Sequence, residues 1–211
     1  MGVRRAVVIG VALVLTGVAS QVSANGRQET VPPGQGQGRT LGQGPGTSQR
    51  TNHDTISAAL AGMPVGTLRQ GEAEGLIYLH EEERLARDVY TALAELYQVP
   101  VFSNIAASEQ THVDGMAVLL KRYGLAVPPD GKPGSYQDAQ LVKTYQELMT
   151  RGKQGLAEAA AVGISIEEMD IADLEMRLAR TDNADVRLVL EQLLAGSRNH
   201  LAAFQRQSAR R

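Results

Sequence analysis

From Glu72 onward, apolar residues return at alternating spacings of three and four, and no polar–apolar alternation is long enough to make a strand. The pattern predicts an all-α fold. Helix A runs from Glu72 to Tyr97 and stops before "QVPVF", where Pro100 disfavours a helical conformation in its predecessor. Helix B opens at Ser103, a good N-cap, and ends at Tyr123, with Gly124 as its stop signal. "LAVPPDGKPGS" follows, too rich in Pro and Gly for a helix and too long for a tight turn. It leads to a short helix over Tyr136–Thr150, broken at "RGKQG", and then to helix C over Leu156–Arg180. "TDNAD" supplies a turn and an N-cap for helix D, Ala184–Gln207.

Each long helix has one seam to bury. In helix A it is Leu76, Leu79, Glu83, Ala86, Tyr90, Leu93 and Tyr97; in helix B, Ile105, Glu109, His112, Met116, Leu119 and Tyr123. Helix C offers Leu156, Ala160, Gly163, Glu167, Ile171, Leu174 and Leu178, and helix D offers Val186, Leu190, Leu193, Ser197, His200 and Phe204. Every seam is apolar until a carboxylate, imidazole or hydroxyl interrupts it. One such interruption is usually a hydrogen-bonded core residue, whereas four at one level make a site. Glu167 and His200 flank the C–D turn almost symmetrically, so at about 1.5 Å per residue they agree to within about a helical turn. Between Glu83 and Glu109 the turn is off-centre, and their levels match only if "VPVFS" runs extended beside helix B. Two hairpins joined by one long crossover have the connectivity of a ferritin-like four-helix bundle.

Three glutamates facing one another cost several kcal/mol each if charged and unpaired, against a net stability of about 5–15 kcal/mol. Protons can compensate through raised pKa values, and so can arginines, of which Arg84 and Arg87 are near in sequence but off the seam. Two divalent cations do so most fully. Carboxylate oxygen with imidazole nitrogen suits iron or manganese, with zinc also compatible.

The stretches "EEERLARDVY", "FSNIAASEQTH", "IEEMDIADLE" and "GSRNHLAAF" resemble a family of ferritin-like prokaryotic domains of unknown function, distantly similar to rubrerythrins and ferritins. The resemblance spans Leu68 to Phe204. It implies a di-metal site with one glutamate from each of two helices and a Glu-x-x-His from each of the other two. Carried over, the single glutamates are Glu83 and Glu167, and the first Glu-x-x-His is Glu109 with His112. The second is incomplete, because His200 is present but Ser197 stands where a carboxylate belongs. Asp170, one turn past Glu167, is the expected substitute ligand, or else an acceptor that orients His200. Glu82 competes with Glu83 for the inward position, and His80 is a further candidate imidazole. Tyr90, Tyr97 and Tyr123 read as core aromatics, any one of which can hydrogen-bond a ligand.

The leading expectation is therefore two iron ions in a carboxylate centre that reacts with dioxygen or peroxide, or oxidises ferrous iron, with peroxidase-type or ferroxidase-type oxidoreductase activity. Its electrons come from iron itself or from an unidentified donor, because the chain has no cysteine for a rubredoxin-like centre. A metal-sequestering module without turnover and a metal-free helical interaction domain are the alternatives, and a homodimer is compatible with each.

Residues 1–24 add a location. Arg4 and Arg5, the apolar run "AVVIGVALVLTGVA" and "VSA" ending at Ala24 follow the order of a cleavable export signal, with a run short of the roughly 20 residues a spanning helix needs. The mature chain is then exported, periplasmic or extracellular, with no membrane span after cleavage. Residues 25–67 read as a disordered tether rich in Gly, Gln and Pro, 68–207 as the bundle and 208–211 as a tail. Absence of cysteine excludes disulfides and thiol chemistry. The formal charge is −2, or about −4 without Arg4 and Arg5, which argues against a nucleic-acid partner.

Overall fold

The computed structural model describes residues 55–209, which form six helices and no strands. The expected export signal lies outside them, as does most of the tether. Helix α1 covers 55–61; the long helices are α2 (Glu72–Tyr97), α3 (Pro100–Arg122), α5 (Leu156–Leu178) and α6 (Ala184–Ser208), with the shorter α4 (Ala139–Gly152) between the pairs. The long helices close a ring in which α2 contacts α3 and α5, and α6 contacts α3 and α5. Helix α4 packs on α2 and α5.

Helix α2 has the bounds expected of helix A. Its end is set by Gln98, left-handed at φ 52°, whose N–H donates to Ala94 O at 2.9 Å. Helix α3 then starts at Pro100, not Ser103, because proline lacks an N–H and suits the first helical position. "VPVFS" is therefore not an extended run. Gly124, at φ 67°, ends α3 in a Schellman motif, with Leu125 N–H donating to Leu120 O and Gly124 N–H to Lys121 O.

The short helix starts three residues later than expected. Asp138 caps it by accepting from the N–H groups of Gln140 and Leu141, which frees Tyr136 to turn inward and donate to Asp88 Oδ2 at 2.9 Å. Helix α5 stops two residues early at Leu178, and Leu156 in its first turn is 39 % exposed instead of joining the seam, since it lies at the end of the ring. Residues 55–61, expected within the tether, are ordered by apolar burial: Ile56 and Leu60 pack with Leu76, Leu79, Met116 and Leu119. Ile56 sits over Gly115, where a Cβ would come within 2.8 Å of it.

The apolar interior is in two parts. One cluster holds Leu85, Tyr90, Leu93, Phe102, Ile105, Ile166 and Phe204. The other holds Leu76, Leu79, Met116, Leu119, Leu174, Leu190 and Leu193. Each long helix crosses from one cluster to the other, and at the crossing stand Glu83 on α2, Glu109 and His112 on α3, Glu167 and Asp170 on α5, and Ser197 and His200 on α6. All seven are buried. A single polar layer thus separates two apolar halves.

Candidate metal centre

The layer converges because of the short α2–α3 connection. Residues at equal distance from that connection lie opposite one another, so Glu83 faces a level within about 3 Å of His112, while Glu109 is about 7 Å nearer the turn. The contacts follow this register. His112 Nδ1 lies 3.2 Å from Glu83 Oε2 and 2.8 Å from Glu109 Oε2. From the opposite hairpin, His200 Nδ1 lies 2.9 Å from Glu109 Oε1 and 3.6 Å from Glu167 Oε2. The two imidazoles stack with centroids 5.4 Å apart. Two triads result, Glu83–Glu109–His112 and Glu109–Glu167–His200, each with its ligand atoms within 4.8 Å of one another. Glu109 belongs to both and presents one oxygen to each.

The outer faces of these groups are held in place. Ser108 Oγ lies 2.8 Å from His200 Nε2, which directs Nδ1 at the carboxylates. Tyr90 donates to Glu167 Oε1 at 2.6 Å and shares its hydroxyl with Gly163 O. Ser197 donates to Asp170 Oδ2 and to Leu193 O. Asp170 therefore pairs with Ser197, and the orienting partner of His200 is Ser108. Gly196 makes room for His112: a Cβ there would stand 2.4 Å from its Nε2. Gly196→Ala is expected to lower stability by about 1–3 kcal/mol through overpacking, read as a fall in Tm of the metal-free chain.

The remaining candidates fall outside both triads. Glu82 is half-buried beside Asp173 and Arg177. His80 is buried among Arg84, Arg87 and Asp130, and burial together with those cations lowers its pKa to about 4. Arg84 is engaged by Glu81 and Asp130, and Arg87 by Asp88 and Asp130, so neither arginine neutralises the layer. Tyr97 donates to Gly152 O, and Tyr123 to Asp185 Oδ1.

Protons hold the metal-free layer together. Burial pushes Glu83 and Glu167 up to about 7. Burial works on Glu109 in the same direction, but the adjacent charges of His112 and His200 overcome it and bring it to about 2. Burial opposes charge on the two histidines, yet Glu109 with Glu83 raises His112 well above its ordinary value, and Glu109 with Glu167 lifts His200 to about 9. A Glu109 carboxylate between two imidazolium rings is the outcome.

The two triads are groups of buried carboxylates and imidazoles that could each hold a metal ion. His200 Nδ1 is buried without a well-directed hydrogen bond despite two close carboxylates, and Glu83 Oε1 and Asp170 Oδ1 have no hydrogen-bond partner. Unpartnered buried acceptors beside carboxylate oxygens and imidazole nitrogens within 4.8 Å of one another are compatible with a bound ion.

The family described as "Uncharacterized protein domain (DUF2202)" matches residues 72–211. "Uncharacterized protein MJ0754" of Methanocaldococcus jannaschii is 40 % identical over 148 residues, covering 70 % of this chain and 80 % of that protein. The crystal structure of hypothetical protein MJ0754 from Methanococcus jannaschii superposes with a TM-score of 0.68 at 40 % identity, covering 70 % of this chain and 85 % of that one.

Proposed function

We propose that this chain, which belongs to the DUF2202 family, holds two divalent metal ions in the polar layer, most suitably iron, with manganese or zinc as alternatives. The observation that carries the reading is the sharing of Glu109, whose two oxygens meet imidazoles from two different helices. Glu83 and His112 would complete one ion's protein ligands, and Glu167 and His200 the other's. The ring of four long helices with its crossover supports a ferritin-like assignment of the fold. Export to the periplasm or beyond, read from residues 1–24, belongs to the same proposal.

A pair of redox-active ions supplies two electrons together to an O–O bond, which makes dioxygen or peroxide reduction, or ferrous-ion oxidation, the reaction class. The chain's own contribution is positional. Ser108 and Tyr90 fix His200 and Glu167, and the flanking apolar clusters limit the access of bulk water. Ser197 at the place of a fourth carboxylate favours a second reading, metal sequestration without turnover.

Elemental analysis of the purified protein after anaerobic loading with ferrous iron, followed by exposure to oxygen or peroxide, separates these readings. Two irons per chain with rapid oxidant consumption support the redox centre, and two irons without consumption support sequestration. No metal above background contradicts both. Because His112 and His200 are protonated in the metal-free layer and Glu83 and Glu167, at about 7, are each about half protonated, loading at pH 7 is expected to release about three protons per chain. Calorimetry in two buffers of different ionisation enthalpy measures that release directly.

A further inference from the structure

Between α2, α4 and α5 a cavity of about 70 Å³ reaches the carboxylates of the polar layer. Its lining carries Glu82, Glu83, Glu109, Glu167 and Asp170 and no basic side chain. Met169, 38 % exposed, and half-buried Thr144 also line it, which brings its outer end to solvent between α4 and α5. Within it, Asp170 Oδ1 has no hydrogen-bond partner although Asp170 is only 7 % exposed, and Glu83 Oε1 has none at 2 % exposure. Glu82 Oε2 is also unpartnered, on a side chain nearer the surface. A buried acceptor without a donor is unfavourable, and a cation satisfies it as well as a proton does.

We propose that this cavity is the route by which a divalent cation reaches the two-ion centre, with Glu82 and Asp170 as transient ligands that replace its water before Glu83 receives it. The inference rests on the reading of the layer as a metal centre. About 10–15 Å³ suffices for one water, so the cavity admits a partly hydrated ion. The lining carries no basic side chain, so a cation that displaces the protons of these carboxyls meets oxygen ligands along the whole path, within low-dielectric walls. Ser197 holds Asp170 through Oδ2 and leaves Oδ1 available.

The test mixes the metal-free full chain with cobalt(II) in a stopped-flow instrument and follows tyrosine emission, unobscured because the chain has no tryptophan. Bound cobalt is then measured at equilibrium after desalting. Glu82→Gln and Asp170→Asn are each expected to slow loading about 10-fold or more while retaining two ions per chain. Thr144→Phe narrows the mouth without removing an acid or adding a tryptophan and slows loading too, with circular dichroism confirming that the helices persist. Unchanged rates in all three variants overturn the route. An ion lost at equilibrium in Glu82→Gln or Asp170→Asn makes that residue a permanent ligand and overturns its transit role. If the unsubstituted chain takes up no cobalt, the metal-centre reading fails, and the route fails with it.

Discussion

Glu109→Ala is expected to eliminate loading of both ions, whereas Glu83→Ala and Glu167→Ala each weaken one ion more than the other. The asymmetry follows from geometry. Glu109 presents Oε2 to the His112 side and Oε1 to the His200 side, while each other glutamate meets a single imidazole. Loss of an outer partner of a ligand typically costs 10- to 100-fold in affinity, and loss of a shared ligand should exceed about 100-fold for each ion. The same substitution removes the counter-charge between two imidazolium rings, so the metal-free protein should lose up to about 3–5 kcal/mol, less whatever the histidines recover by deprotonating. Metal content after desalting and Tm of the chelator-treated protein read the two effects separately. Two ions retained in Glu109→Ala would show that Glu109 is not shared.

The metal-free and loaded proteins should respond oppositely to pH. Burial raises Glu83 and Glu167 from 4.5 to about 7, so the folded chain keeps protons that the unfolded chain has released, and stability falls as pH rises from about 4.5 to 7. His200, at about 9 when folded against 6.5, contributes stability that is complete below 6.5 and lost as pH rises through 9. His112 has the same sign. Glu109, at about 2, acts in the other direction below 4.5, under this window, and His80, at about 4, opposes the decline up to pH 6.5 but is outweighed by the two carboxyls. The metal-free Tm should therefore decline steadily from pH 5 to 9. Protons compete with metal for these groups, so binding tightens as pH rises and adds stability through mass action. Several kcal/mol of divergence corresponds to a gap in Tm that widens by about 10 °C across the range. Scanning calorimetry of both forms at matched pH measures it, and parallel curves would refute the coupling.

Much of this arrangement was legible in the helical periodicity. The seams of α2 and α6 were readable because a side chain that interrupts an apolar row every three or four residues has little choice but to face inward, as Glu83, Ser197 and His200 do. The start of α3 was misjudged because Ser103 is a good cap in isolation, whereas Pro100 is favourable at a first helical position once Gln98 turns left-handed. The level of Glu109 was consequently tied to an extended run that does not exist; its partner across α2 is reached through His112. Arg84 illustrates a different limit. It is buried on the face of α2 away from the seam because Glu81 and Asp130 balance it, and Asp130 comes from the crossover, whose path no local pattern specifies. Ser108 and Gly196 were likewise invisible as parts of the site. Their roles depend on an imidazole arriving from another helix, and the only sequence signal was their adjacency to Glu109 and Ser197. Ile56 and Leu60 were hidden because the stretch that carries them, residues 55–61, is too short for a helical period to stand out beside the Gly- and Gln-rich run before it.

The central claim is that one buried carboxylate serves two ions. Anomalous diffraction at the absorption edge of the loaded metal, from crystals of the protein, tests it most directly. Two peaks flanking Glu109 are predicted, one beside Glu83 and His112 and the other beside Glu167 and His200. A single peak away from Glu109, or none in protein equilibrated with excess metal, would contradict it.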